Sequence, residues 1–183
     1  IPGGTFLETI LTLPLTLPPV AVGLILLQFL STKTALGAVL ERIGLTVPFT
    51  WKAVVVATGI MSFPLIFRPV KTTFQQLDEQ YEKLSYTLGE NPLRTFFKVS
   101  LPMGRNGIWA GVFLGWSRAI GEFGCTMVLA GDIPGVTRTL SLAIFHRYQM
   151  GQDLQALRLA LYSAVLTLLF MLLSNRFGRD PVE

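Results

Sequence analysis

Four apolar blocks, each close to twenty residues long, dominate the chain and lie near 10–30, 51–67, 108–130 and 156–173. An α-helix rises about 1.5 Å per residue, so about twenty residues cross the ~30 Å hydrocarbon core of a bilayer. The blocks are continuous rather than alternating, which excludes the short strands of a membrane β-barrel and leaves helices. Between the second and third blocks runs a polar stretch, 74–99, with a period of its own. Leu77, Tyr81, Leu84 and Leu88 fall at i, i+4, i+7 and i+11, one apolar stripe among charges. Gly89 breaks the stripe, Asn91 and Pro92 can restart a helix, and Leu93, Phe96 and Phe97 form a second apolar patch. The pattern predicts a short amphipathic helix, a glycine turn and a second short helix, projecting as a knob of the kind that seats in a partner's groove. A helix lying on the bilayer, or capping the bundle, would carry the same stripe.

Composition supports the membrane assignment. Apolar residues make up 51% of the 183 residues and charged ones 14%, with a mean hydropathy of +0.55; an ordinary soluble domain carries about 25% charged residues. Too little polar sequence remains to coat four such blocks in water. The expected fold is therefore an all-α polytopic membrane protein, and the lack of a low-complexity linker makes 1–183 a single domain. The formal charge of +4 would suit nucleic acid, but most basic residues flank apolar blocks, where anionic headgroups and the positive-inside bias place them. One cysteine, Cys125, excludes an intrachain disulfide, and with the single histidine, His146, it leaves no cluster for a metal. Ile1 is not an initiator methionine, so a processed or trimmed chain with an incomplete N-terminus is expected. No basic segment and cleavage site precede the first block, so no signal peptide is expected.

Orientation follows from Lys and Arg. The segment between the second and third blocks carries Arg68, Lys71, Lys83, Arg94, Lys98 and Arg105, and the tail carries Arg176 and Arg179. The other two connections hold fewer: Lys33, Arg42 and Lys52 in one, Arg138 and Arg147 in the other. The richer set belongs in the cytoplasm, which puts 74–99 and the C-terminus inside and 31–50 and 132–155 outside.

Three places within this frame could carry chemistry. The first block opens with Pro14, Pro18 and Pro19, which either kink or unwind a span at membrane depth or mark an interfacial helix start. In the third block Gly107, Gly111, Gly115 and Ala119 recur every four residues, a small-residue face for close helix packing. Arg118 and Glu122 lie four apart in the same block, where ionisable groups cost about 2.5–3.5 kcal/mol each and must face protein or water. They would either line an anion path or form a salt bridge within the bundle near Gly121 and Gly124. In the outer segment, Thr137, Thr139 and Ser141 could donate to oxyanion oxygens and Arg138 could add charge, as a gate or a contact for an outside partner. The same segment could be an ordinary surface helix with Thr137 as its N-cap. His146 is expected to serve packing or an outer hydrogen bond, and Cys125 to behave as a small buried residue.

The stretch EKLSYTLGENPLRTFFKVSLP, 82–102, resembles the cytoplasmic EAA loop of ABC importer permeases, in which an acidic residue, two small residues and a glycine precede an apolar residue and Leu-Pro. Gly89, Val99, Leu101 and Pro102 fit; Leu84 and Ser85 stand where alanines are usual, and Glu82 sits one position early. The resemblance continues in ETILTLPLTLPPVAVG (8–23), MSFPLIFR (61–68) and SRAIGEFG (117–124), all similar to molybdate permeases and their sulfate relatives. AGDIPGVTRTLSLAIF (130–145) leans to the molybdate branch. This implies a type I importer permease bundle with a cytoplasmic coupling helix, in the cytoplasmic membrane, whose ATPase contacts come from Glu82, Leu84, Ser85, Leu88, Gly89, Pro92 and Phe96. It implies a homodimer, separate ATPase subunits holding ATP and Mg, an extracytoplasmic oxyanion-binding protein, and a cargo of molybdate, tungstate or sulfate. The chain has no Gly-x-x-x-x-Gly-Lys-Ser/Thr phosphate loop, so no cofactor and no ATP hydrolysis are expected of it. A stand-alone ion-coupled carrier or channel is the other class to weigh, with Arg118 and Glu122 as its relay.

Overall fold

The computed structural model describes residues 2–178, and its regular elements are all helices: α1 Pro2–Thr16, α2 Pro19–Leu30, α3 Ala35–Arg42, α4 Trp51–Gln76, α5 Glu79–Thr87 and α6 Pro92–Thr95, then a π-helical turn Phe96–Ser100, α7 Leu101–Ile120, α8 Gly124–Leu129, α9 Leu140–Gln149 and α10 Asp153–Phe177. The helices α4 and α10 are long and apolar enough to cross a membrane. At 26 residues, α4 measures about 39 Å, so its last turns emerge from a ~30 Å core. The apolar run ends near Phe67, but charge alone does not stop a helix, and α4 continues to Gln76.

Two of the four expected spans are not single helices. The first, 10–30, is broken: α1 ends at Thr16, α2 starts at Pro19, and their axes meet at 114°. Pro18 and Pro19 supply no N–H to the ladder and their rings clash with the preceding turn, while Pro19 is well placed at the first position of the new helix. The third, 108–130, stops at Ile120, and α8 restarts at Gly124 after Gly121, Glu122 and Phe123. It also begins seven residues earlier than expected, at Leu101.

The small-residue face of α7 packs on α4. A Cβ added at Gly111 would lie 2.8 Å from the Ile66 carbonyl oxygen, and one at Gly115 would strike the Ile66 side chain. Gly107 faces Thr73 and Gly104 faces Phe74, so the axes run closer than larger side chains would permit. On the other side of α7, Phe113 stacks against Phe170 and Phe177 of α10, and the Ser174 hydroxyl donates to the Ala110 carbonyl at 2.8 Å. A smaller core joins α2, α4 and α8 through Val22, Ala53, Ala57, Met61, Cys125 and Leu129. Lys71 of α4 pairs with Glu8 of α1. Much of α10 is uncovered, including Leu157, Leu161, Val165, Leu168 and Leu172, a face that suits lipid or another protein and not water.

The α4–α7 contact generates a paired expectation. Gly111→Ala must push a backbone oxygen away and is expected to cost about 1–3 kcal/mol. Gly59→Ala, on the same pair of helices with nothing within 4 Å of its added Cβ, is expected to be neutral or slightly stabilising. Thermal melting of the two purified variants in detergent checks this; equal melting temperatures would contradict the packing described.

Candidate functional site

The segment between α4 and α7 folds as a hairpin whose construction can be followed residue by residue. Asp78 caps α5, its carboxylate accepting the Gln80 N–H at 2.9 Å, and Glu79 and Glu82 sit in the first turn, where the helix dipole favours acids. At the far end the Gly89 N–H donates to the Tyr86 carbonyl at 3.0 Å and the Glu90 N–H to the Ser85 carbonyl at 3.2 Å, the paired bonds of a Schellman turn. Gly89 has φ +84°, a left-handed conformation that an L side chain adopts only with strain. Asn91 then caps α6, accepting the Arg94 N–H at 2.8 Å, and Pro92 occupies its first position. The chain returns to the bundle through the π-helical turn.

Polar pairs lock the two arms together. The buried hydroxyls of Ser85 and Thr95 lie 2.9 Å apart, and the Ser100 hydroxyl donates to Glu82 at 2.6 Å. Lys98 donates to Glu90 at 2.6 Å, which holds the Glu90 carboxyl below its ordinary range. Phe96 stacks on Phe74 at the end of α4. Leu84, Leu88, Leu93 and Phe97, by contrast, remain 60%, 77%, 72% and 62% exposed. The expected coupling residues therefore divide. Glu82, Ser85, Gly89, Pro92 and Phe96 build the hairpin, while Leu84 and Leu88 are presented at its surface. Ser85, in place of the usual alanine, uses its hydroxyl inside the hairpin. Thr95, the partner of Ser85, and Ser100, the partner of Glu82, carry no signal in the sequence, because these contacts span ten and eighteen positions.

Arg118 and Glu122 meet across the break between α7 and α8. Glu122 is 1% exposed in its side chain and Arg118 27%, with Nη1 2.8 Å from Oε2. That contact is off the hydrogen-bonding direction, so Oε2 has charge pairing without a hydrogen bond. The other carboxylate oxygen accepts the Cys125 N–H at 2.9 Å, at the N-terminal turn of α8, where backbone donors lack helical partners. The pair thus closes the helix break from both sides.

The segment after α8 is equally self-contained. Arg138 grips Asp132 through two bonds, Nε to Oδ1 at 2.7 Å and Nη2 to Oδ2 at 3.1 Å. His146 Nδ1 lies 3.5 Å from Oδ2 of the same carboxylate. The Thr137 hydroxyl donates to the Gly131 carbonyl at 2.8 Å and accepts from the Ile133 N–H at 3.0 Å. It therefore holds the turn and does not cap the next helix. The cap of α9 is Thr139, which accepts the Leu142 N–H at 3.4 Å. Ser141 donates to the Ile120 carbonyl at 2.8 Å, so the protons of Thr137 and Ser141 are already committed within the chain. Asp132 was not singled out in the sequence, although an acidic residue six positions before Arg138 organises the whole turn. Among the described residues no group of His, Cys, Asp and Glu could hold a metal.

Comparison with known proteins covers nearly the whole chain. The family described as "Binding-protein-dependent transport system inner membrane component" matches residues 2–181. The molybdenum transport system permease protein ModB of Escherichia coli (strain K12) is 37% identical over 184 residues, covering 100% of this chain and 80% of that protein. The corresponding protein of Haemophilus influenzae is 35% identical, over 94% of this chain and 76% of its own length. The sulfate transport system permease protein CysT of Salmonella typhimurium is 36% identical, over 99% of this chain and 67% of that protein.

The buried pair makes a thermodynamic expectation. Arg118→Ala strands the Glu122 carboxylate and is expected to cost about 3–5 kcal/mol. Glu122→Gln keeps an acceptor for Cys125 and should cost less. The double variant should lose less than the two single losses added together. Denaturant or thermal unfolding in detergent measures all three, and strictly additive losses would show that the two groups do not interact.

Proposed function

Because the chain belongs to the family of binding-protein-dependent transport system inner membrane components, whose members are translocation subunits and not enzymes, we propose that it is the permease of an ATP-driven importer for a tetrahedral oxyanion, with molybdate as the cargo. The observation that carries this reading is the hairpin between α4 and α7: a rigid, internally bonded frame that holds Leu84, Leu88, Leu93 and Phe97 out where a partner can cover them. Exposed apolar groups of this density on a polar arm are characteristic of a docking surface. In this reading they seat in a cleft of a separate ATPase, which binds ATP and Mg and supplies the energy. In the same reading the hairpin and the C-terminus lie on the cytoplasmic side, which the lysines and arginines around the hairpin support. A second copy of the permease completes the path, and an oxyanion-loaded binding protein meets the outer segments.

The hairpin is continuous with the two helices that would have to move. A pull on α5 enters α4 through Leu77 and Asp78, and a pull on α6 enters α7 through the π-helical turn. Close contact at Gly107, Gly111 and Gly115 makes α4 and α7 respond as one unit. Arg118, Glu122, Thr137, Arg138, Thr139 and Ser141 then serve to hold the shape of the moving parts. Neutralising Arg118 by Glu122 also suits a path that must release a dianion, since an uncompensated cation would retain it. Transport of sulfate by the same type of machine is the second reading, supported by the similarity to a sulfate transport permease; the two anions share shape and charge.

Uptake of molybdate into proteoliposomes containing the chain, its ATPase and its binding protein tests the proposal. Leu88→Glu is expected to weaken the ATPase complex by about 2 kcal/mol, about thirtyfold in affinity, and to reduce uptake accordingly, with membrane insertion unchanged. Gly89→Val should have a similar effect by straining the turn. Undiminished uptake by both variants, or uptake by the chain without any ATPase, would overturn the importer account in favour of a self-sufficient carrier.

A further inference from the structure

A cleft of about 420 Å³ opens between the second half of α4, the middle of α7 and the end of α10. Its polar wall comes from α4, where Arg68, Thr72 and Gln76 recur every fourth residue and so share one face. The opposite wall is small and apolar, with Gly107 and Ala110 leaving the space open and Phe177 closing one side. Arg68 makes no ion pair or hydrogen bond with any described residue, in contrast to Lys71, Arg118 and Arg138. No carboxylate lines the cleft among the described residues. A guanidinium presents five N–H donors in a planar fork, and a hydroxyl and a primary amide add three more. Donors of this number, with one uncompensated positive charge and no acid among the described residues to repel an anion, match the oxygens of a tetrahedral group.

We propose that this cleft is an oxyanion-binding site, in which Arg68 grips two oxygens and Thr72 and Gln76 donate to the others. It runs along the last turns of α4 to the α4–α5 junction, at the hairpin end of the bundle. The importer reading is needed only to say that this end faces the cytoplasm. Two sources supply the same chemistry: a free oxyanion such as molybdate or inorganic phosphate, or the phosphate group of an anionic lipid, since long basic side chains at a span's end reach the headgroup layer.

The test uses the full-length permease in nanodiscs, without ATPase or nucleotide, so that failure to bind leaves the importer reading untouched. Calorimetric titration with molybdate and with inorganic phosphate is run in phosphatidylcholine discs and in discs containing phosphatidylglycerol. Native mass spectrometry on the same samples counts retained phosphatidylglycerol. Saturable binding in phosphatidylcholine, weakened at least tenfold by Arg68→Gln and several-fold by Thr72→Val, establishes the site with a free oxyanion as ligand. Retention of phosphatidylglycerol that Arg68→Gln abolishes establishes it with the headgroup as ligand. Arg68 is exposed, so the variant should fold, and an unchanged melting temperature confirms this. Binding and lipid retention that are both absent, or both indifferent to Arg68→Gln, overturn the proposal.

Discussion

The close approach of α4 and α7 is the constraint on which the rest of the structure depends. It arises from hydrogen atoms standing where side chains would be: at Gly111 even one methyl group would meet a backbone oxygen of α4. With the two helices held this near, the chain joining them folds as a hairpin braced on the end of α4, where Phe96 stacks on Phe74. It leaves, turns and comes back. The turn is made by Gly89 in a conformation open to glycine, and the return by Asn91 and Pro92, which begin a helix without needing the donors that proline lacks. Polar pairs between the arms then stiffen the excursion, and the apolar residues that find no place inside are left outward. An exposed apolar surface thus stands on a tightly packed base.

The same economy governs the ionisable groups. Where burial lowers the dielectric a charge needs a partner, and the chain supplies one close in sequence: Glu122 for Arg118 and Asp132 for Arg138. At the break after α7 one carboxylate serves two needs, because Glu122 also accepts a backbone N–H that lacks a helical partner. Glu122 joins a guanidinium to the start of α8; Asp132 ties together the turn before α9. The hydroxyls of Thr137 and Ser141 behave alike, donating to backbone carbonyls. Together with Arg138 they brace an irregular segment from within.

Helix class, the hairpin with its glycine turn, and the packing face of α7 were all legible in the sequence, because each rests on a short repeat or a local backbone preference. The stripe of Leu84 and Leu88, the signal of Gly89 before Asn91 and Pro92, and the four-residue glycine spacing are properties of neighbouring residues. The breaks were harder to place. Pro18 and Pro19 announced a disturbance but not a 114° bend, since hydropathy measures apolarity and not direction. Arg118 and Glu122 were recognisable as a pair, but the bond from Cys125 to Glu122 depends on where α8 restarts. The Ser85–Thr95 and Glu82–Ser100 contacts, and the clustering of Arg68 with the end of α10, join distant positions that no local pattern links.

The central claim is that a separate ATPase grips the crown of the hairpin from the cytoplasm. A single exposed thiol measures this directly: Leu88→Cys in inside-out vesicles, reacted with a membrane-impermeant maleimide in the presence and absence of the ATPase. Cys125 is fully buried and should stay silent. The account predicts rapid labelling of the bare permease and strong protection once the ATPase is bound. Labelling from the outer face only, or at the same rate with and without the ATPase, would contradict it.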